Sequence, residues 1–384
     1  MPRRLRPDAL GVLLVATGLV GLALPFLVFK ANRVVPGVAH AIFSLPANGL
    51  AWGLYACLLL AAVAALYGED ARVRLAIALA ALVMLGCTVA AGAQGLTPPG
   101  NRVVRIAPGA GCWLLLLAVA MLTTDAVTRL RPKPLARIAM LAAFLLAVSL
   151  ALRSGAFEHL SVMREYAVNA ERFMRELRTH LLLTLGSLAA AVPVALPLGT
   201  LCHRHARLRG AVLGVLNLVQ TLPAIALFGI LMAPLAALAA ALPWLGAIGI
   251  RGIGAAPAVI ALFLYSLLPM VANTVAGLAR VSPAAIEAAL GMGMTGGQVL
   301  ARIELPLALP VILTGVRIVL VQNIGLATIA ALIGAGGLGA FVFQGIGQTA
   351  IDLVLLGALP TMALAFSAAV LLDAAIESLE RVPA

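Results

Sequence analysis

Apolar residues run along this chain in long blocks separated by short polar punctuation. About 20 apolar residues cross a bilayer as a helix, and ten blocks meet that rule. Five lie near residues 9–29, 48–67, 74–93, 109–127 and 138–152, and five near 181–201, 211–235, 256–278, 307–332 and 351–373. The pattern predicts an all-α polytopic membrane protein with about ten transmembrane helices. The stretch 236–255 is also apolar, but Pro243, Gly246, Gly249, Arg251 and Gly252 break it. A surface loop with a re-entrant or interfacial piece is expected there.

Between the two sets of five, composition turns from apolar to charged and back, which predicts three parts: an N-terminal membrane block over 1–152, a linker over 153–178 and a C-terminal core over 179–384. In the linker, Glu171–Arg175 and Glu165–Asn169 have the four-residue spacing of one helix face, while Phe157, Leu160, Phe173 and Leu177 supply an apolar one. An amphipathic helix lying in the membrane interface and leading into the sixth span fits this pattern. The alternative is a cytoplasmic linker, which needs an odd number of spans before it.

The most informative polar stretch is Glu287 to Pro306, between the eighth and ninth runs. Ser282 and Pro283 are the cap and first-turn residues a helix start favours. Gly291 and Gly293 then interrupt the helix. Thr295 with Gln298 three residues on fits a capping box, so a second short helix is expected to reach about Glu304 and stop before Pro306.

Composition agrees with the pattern. The 384 residues are 63% apolar and 10% charged, against about 25% charged in soluble domains. The formal charge of +12 comes from 24 arginines and only two lysines, Lys30 and Lys133. These bases cluster at the ends of apolar runs, which suits anionic lipid and topology better than nucleic acid, so no nucleic-acid partner is expected. With the N-terminus inside, ten spans put Arg3/Arg4/Arg6, Arg72/Arg74, Arg129/Arg131/Lys133/Arg137, Arg204/Arg207/Arg209, Arg280/Arg302 and Arg381 in the cytoplasm. Lys30/Arg33, Arg102/Arg105 and Arg251 fall outside, the bias of the positive-inside rule. The one exception is Gly155 to Thr179, which also faces outward and carries Arg164, Arg172, Arg175 and Arg178, nearly balanced by Glu158, Glu165, Glu171 and Glu176. Both termini and the Glu287–Pro306 stretch are then cytoplasmic. The start resembles a signal peptide, but its run of about 21 residues exceeds a signal core of about 7 to 15, so an uncleaved first span is expected.

Glu287-Ala288-Ala289, three residues, Gly293, nine residues, then Ile303-Glu304-Leu305-Pro306 is the pattern of the EAA loop. The chain therefore resembles the membrane-spanning subunit of a binding-protein-dependent ABC importer. That resemblance implies a cytoplasmic loop over 282–306 docking into a separate ATPase subunit through Glu287, Ala288, Ala289, Gly293, Ile303, Leu305 and Pro306. It makes the C-terminal part the permease core of five to six helices. Gln220-Thr221-Leu222-Pro223, Ala261 to Pro269, Arg302 to Pro310 and Ile333 to Gly339 look like the glycine betaine/carnitine/choline branch of these permeases. The extra N-terminal block resembles a subgroup of osmoprotectant permeases. The family implies a periplasmic or lipid-anchored substrate-binding protein, a second permease subunit, identical or related, and a home in the bacterial inner membrane.

Candidate path residues are the polar ones inside runs: Arg317, Gln322, Asn323 and Thr328 in the ninth, Gln220 in the seventh and Asn273 in the eighth. An ionisable group in hydrocarbon costs about 2.5 kcal/mol or more on insertion scales, so Arg317 should snorkel, bond neighbouring carbonyls or face a water-filled path. The others serve equally as interhelical glue. Gly334 to Gly339 spells G-x-G-x-x-G, but it follows a membrane span rather than a strand and reads as a tight turn between the ninth and tenth spans. Neither the histidines nor Cys57, Cys87, Cys112 and Cys202 show metal spacing, and no metal site is expected. No P-loop G-x-x-x-x-G-K-[ST] is present, so no cofactor is expected on this chain, and ATP with magnesium belongs to the partner. Few aromatics (5% of residues) cluster in the second block, so tight cation selection by an aromatic cage is expected in the binding protein.

The expected function is translocation, not catalysis, of glycine betaine or a related osmoprotectant. An amino acid such as methionine or another small polar solute is the alternative cargo. An ion-coupled secondary transporter would need intramembrane carboxylates, and only Asp352 and Asp373 lie near the second set of spans.

Overall fold

A computed structural model describes residues 8–32, 35–46, 48–101, 103–247 and 249–380. The arginines expected at positions 3, 4, 6, 33, 102 and 381 lie outside the described residues. The chain divides into two compact units, Met1–Ala136 with Ala142–Val168, and Arg137–Leu141 with Asn169–Ala384.

The first unit contains α1 (Ala9–Ala23), strands β1 (Leu27–Lys30) and β2 (Val38–His40), α2 (Asn48–Tyr67), α3 (Ala71–Leu96), β3 (Arg105–Pro108), α4 (Ala110–Leu130) and most of α5 (Pro134–Arg153). The first apolar run is not one helix. It stops at Ala23 because Leu24 precedes Pro25 and is extended. Phe26 and Leu27 then turn inward and are completely buried. β1 is the middle strand of an antiparallel sheet ordered β2-β1-β3, an addition to the expected all-α fold. Open sheet edges do not survive in hydrocarbon, so the sheet lies outside it. Phe26, Leu27, Ile42, Leu54, Ile106 and Leu115 form the core beneath it.

At the other end of these helices four charges close the unit. Arg74, 2% exposed, donates through Nε to the Ala64 carbonyl (2.8 Å) and through Nη2 to the Ala65 carbonyl (2.6 Å) in the last turn of α2, where the Ala64 carbonyl also accepts the Gly68 N–H at 3.0 Å. It pairs with Asp125 of α4 and lies 3.6 Å from Asp8. Arg129 pairs with both aspartates, and Asp8 accepts from Leu10 N–H as the N-cap of α1. Four helix ends meet in this group.

The 44-residue α6 (Ser161–Arg204) begins in the first unit and enters the second, with a non-helical Asn169 (φ −111°) at the division. Its first turns are fixed to the sheet: Ser161 Oγ donates to the Ile106 carbonyl, Arg164 to the Val104 carbonyl, and Glu165 pairs with Arg105 at 3.2 Å. Glu165 is therefore buried, not on a solvated face with Asn169. The Glu171–Arg175 pair is present and exposed.

The second unit continues with α7 (Ala206–Thr221), α8 (Ala224–Ala241), α9 (Pro243–Ala247), α10 (Ala255–Ala279), α11 (Pro283–Gly291), α12 (Gly296–Val299), α13 (Leu305–Ile329), α14 (Gly339–Gly347) and α15 (Ile351–Glu380). The expected seventh span is broken at Leu222–Pro223, and α8 runs on to Ala241 through a stretch expected as loop. Among the described residues nine helices are long and apolar enough to cross a membrane, matching the second to tenth expected runs; α1, at 15 residues, falls short.

The break in the seventh run has a chemical partner. Pro269, inside α10, has no N–H, so the Tyr265 carbonyl one turn earlier lacks its helical donor. Gln220 Nε2 donates to that carbonyl at 2.9 Å, and the Tyr265 hydroxyl donates to the Leu222 carbonyl at 2.5 Å. Each irregularity satisfies the other.

Candidate functional site

The EAA stretch is a helix, a reversal and a second helix. Pro283 occupies the first turn of α11. Gly291 remains helical, and the chain reverses at Gly293, whose φ is +86°. Gly293 N–H bonds the Leu290 carbonyl and Met294 N–H bonds the Ala289 carbonyl, the paired contacts of a Schellman stop with glycine at the left-handed position. The Thr295–Gln298 capping box forms, with Gln298 Oε1 accepting Thr295 N–H at 2.8 Å.

The second helix does not stop before Pro306. One π-turn at Leu300–Glu304 carries it into α13, with Leu305 N–H bonded to the Leu300 carbonyl five residues back. That wider turn accommodates a proline, which has no N–H to give and needs room for its ring. Ile286, Leu300 and Leu305 pack against Leu278, Val281, Ala308 and Ile312 and anchor the loop. Ala289 is buried and Ile303 half-buried, whereas Glu287, Ala288, Leu290, Met292, Gly293 and Pro306 are exposed. One side holds the loop to the unit and the other is presented.

Glu304, nearly buried, is 3.6 Å from Arg204 at the end of α6. Beside this pair a cleft of about 390 Å³ lies between Leu196, Pro197 and Leu201 of α6 and Leu300 and Leu305. The loop therefore bears on α6 through this ion pair and through the apolar cluster that Leu196 shares with Ile286, Leu300 and Leu305.

The polar candidates do not gather in one place. Asn323 is fully buried, its Nδ2 donating to Ser187 Oγ (3.0 Å) of α6 and Ser266 Oγ (2.9 Å) of α10. Thr328 Oγ1, five residues on, is enclosed without a hydrogen bond. Asn273 bonds the Pro269 carbonyl of its own helix. Gln220 stitches α7 to α10, and Gln322 is half-buried beside Asn323. Arg317, at the middle of α13, is ion-paired with Asp373 of α15. No group of His, Cys, Asp and Glu able to hold a metal occurs among the described residues.

Residues 8–163 match the family described as ABC transporter permease YehY, N-terminal domain, and residues 191–381 match the binding-protein-dependent transport system inner membrane component. The carnitine transport permease protein OpuCD of Listeria monocytogenes is 40% identical over 208 residues, 54% of this chain and 86% of that protein. The chain belongs to the family of binding-protein-dependent transport system inner membrane components. The osmoprotectant import permease protein OsmW of Salmonella typhimurium is 47% identical to this permease over 180 residues, 47% of the chain and 79% of the relative. The glycine betaine/carnitine/choline transport system permease protein OpuCD of Bacillus subtilis is 38% identical over 201 residues, 52% and 81%. A solved inward-facing MetNI methionine ABC transporter matches 54% of the permease and 96% of its own chain, with TM-score 0.44 and 23% identity. By its family and its sequence relatives the permease is a multi-pass membrane protein and the translocation subunit of an ABC importer. A family of this kind works with an ATPase and a substrate-binding protein.

Sequence reasoning missed two members of the site. His180 is fully buried, with Nε2 3.1 Å from the Ile324 carbonyl; it follows the charged stretch Arg175 to Arg178, which masked it. Asp373, which the sequence places only near the second set of spans, supplies the countercharge of Arg317. Stranding either charge in a span costs about 2.5 kcal/mol or more on insertion scales. Arg317→Gln and Asp373→Asn are each expected to lower uptake severalfold per inserted permease, and the double variant to recover part of it. Normal uptake by Arg317→Gln would reject a role beside the path.

Proposed function

We propose that the permease carries an osmoprotectant (glycine betaine, carnitine, choline or a related quaternary-ammonium solute) across the bacterial inner membrane. The observation that carries this reading is the naming of its relatives, which at 36–47% identity transport carnitine, choline, glycine betaine or osmoprotectants. The charge bias of the loops supports an orientation with both termini and the EAA loop in the cytoplasm. ATP and magnesium bind the partner ATPase and none binds here. Two permease subunits, identical or related, form the path.

In this reading Glu287, Ala288, Ala289, Gly293, Ile303, Leu305 and Pro306 couple the ATPase to the bundle. Closure of two ATPases moves the two loops, and rigid-body rocking of the helices alternates access. Arg317, Gln322, Asn323, Thr328, Gln220 and Asn273 set helix positions beside the path. The binding protein selects the cargo, and the path is permissive.

The test is ATP hydrolysis by the permease reconstituted with its ATPase and binding protein. Stimulation by glycine betaine, carnitine or choline is expected, and stimulation by methionine alone would overturn the cargo assignment. Uptake that persists without the ATPase would overturn the mechanism.

A further inference from the structure

Three side chains four residues apart lie on one face of α6; one meets α13, one the turn that follows it and one α14. Arg172 Nη1 donates to Gln344 Oε1 at 2.7 Å, and its guanidinium stands 5.0 Å from the centre of the Phe341 ring. Glu176 Oε2 accepts the Gly337 N–H at 2.7 Å. His180 reaches the Ile324 carbonyl. The turn is shaped to receive them. Gly336 and Gly337 have φ of +76° and +86°; a Cβ on Gly336 would stand 2.9 Å from Glu176 Oε2, and one on Gly337 3.1 Å from His180 Nδ1. Bare backbone is what lets the carboxylate approach the amide.

The material on the far side of the turn is packed differently. A Cβ on Gly339 would stand 1.9 Å from the Thr328 carbonyl oxygen, and one on Gly357 2.4 Å from that of Leu338. α13, the turn, α14 and α15 therefore meet backbone to backbone and move as one piece. Against α6, a buried apolar core begins only at Leu183, which packs with Ala327, Ala330 and Ala335. Towards Asn169 the seam depends on Arg172 and Glu176, whose side chains are 36% and 19% exposed, and on a tilted contact between Phe173 and Phe341. Polar, half-wetted contacts can be exchanged for water at little cost, whereas interlocked backbones cannot.

We propose that Arg172 and Glu176 form a latch that holds the α13–α14 turn against α6 while this end of the path is shut and releases it as the path opens, with the buried His180 as the fixed end of the seam. They are positioning residues that act through the turn and do not touch cargo. The proposal rests on the permease function above, and in the orientation given there the latch faces the compartment that holds the binding protein.

The test uses the whole transporter in proteoliposomes, with the four native cysteines replaced. Arg172→Cys with Gln344→Cys, joined by a short reducible bis-thiol reagent, is expected to lose uptake while retaining ATP hydrolysis, and to regain uptake on reduction. Glu176→Ala is expected to hydrolyse ATP severalfold faster without cargo and to transport less per ATP. Glu176→Gln, whose amide oxygen still accepts the Gly337 N–H, is expected to stay near wild type. A merely structural role would lower the amount of assembled complex and its ATPase together, and rescue by Gln would not restore coupling. Transport by the bridged protein at the unbridged rate would overturn the latch, even if Glu176→Ala failed to assemble. An unmodified complex without ATP-driven uptake would instead sink the function on which the latch rests.

Discussion

Gly293→Val is expected to cut ATP-driven uptake about tenfold or more while the protein still inserts and assembles as a membrane subunit. No side chain stands near Gly293, so a Cβ there meets no atom within 4 Å. The cost is conformational: φ of +86° is open to glycine, and an L residue held left-handed loses about 1–2 kcal/mol, more for a β-branched one. A ninefold or tenfold change in an equilibrium needs only about 1.4 kcal/mol. α11 is nine residues long, too short to persist without its stop and its packing. Fraying would displace Leu290 and Met292, the large apolar side chains the loop presents. Asparagine tolerates the left-handed region better, so Gly293→Asn should retain much of the activity. The measurement is solute uptake normalised to inserted protein, with the copurified ATPase as a second readout. Wild-type uptake and full ATPase recovery with Val at 293 would remove Gly293 from the coupling surface.

Arg74→Met is expected to destabilise the first unit strongly. Removing one member of a buried ion pair strands its partner, at a cost of about 3–5 kcal/mol. Here the loss also removes the Arg74 hydrogen bonds to the Ala64 and Ala65 carbonyls at the end of α2, of which Ala64 keeps its bond from the Gly68 N–H. Arg129 still pairs with Asp8 and Asp125, which places the expectation at the low end of that range. Adding Asp125→Leu to Arg74→Met removes the carboxylate that has lost one of its two guanidinium partners, leaves Arg129 paired with Asp8, and should recover part of the loss. Thermal unfolding and limited proteolysis of the purified protein read it. Equal protease resistance of wild type and Arg74→Met would mean that the four helix ends hold without this cluster.

What the sequence disclosed depended on punctuation. The EAA stretch was legible because Ser282, Pro283, Gly293, Thr295 and Gln298 each carry a local backbone meaning, and local meaning survives without tertiary knowledge. Pro306 misled for the same reason: the general rule stops a helix there, and only the ladder shift at Leu300–Glu304 lets it continue. The strand after Pro25 was invisible, since Phe26 to Phe29 is as apolar as any span and its partners lie in distant loops. Burial of His180 and pairing of Arg317 with Asp373 are likewise long-range facts. Composition distinguishes a span from a loop, but not the face that finds a countercharge.

The exchange between Gln220, Tyr265 and Pro269 has a consequence for how this permease tolerates change. A proline that deletes one amide creates a vacancy on a carbonyl, and a glutamine from another helix fills it. Position 269 and position 220 are then not free to vary alone. Restoring an amide at the first would compete with the second for a single oxygen, and shortening the second would leave that oxygen bare inside the bundle.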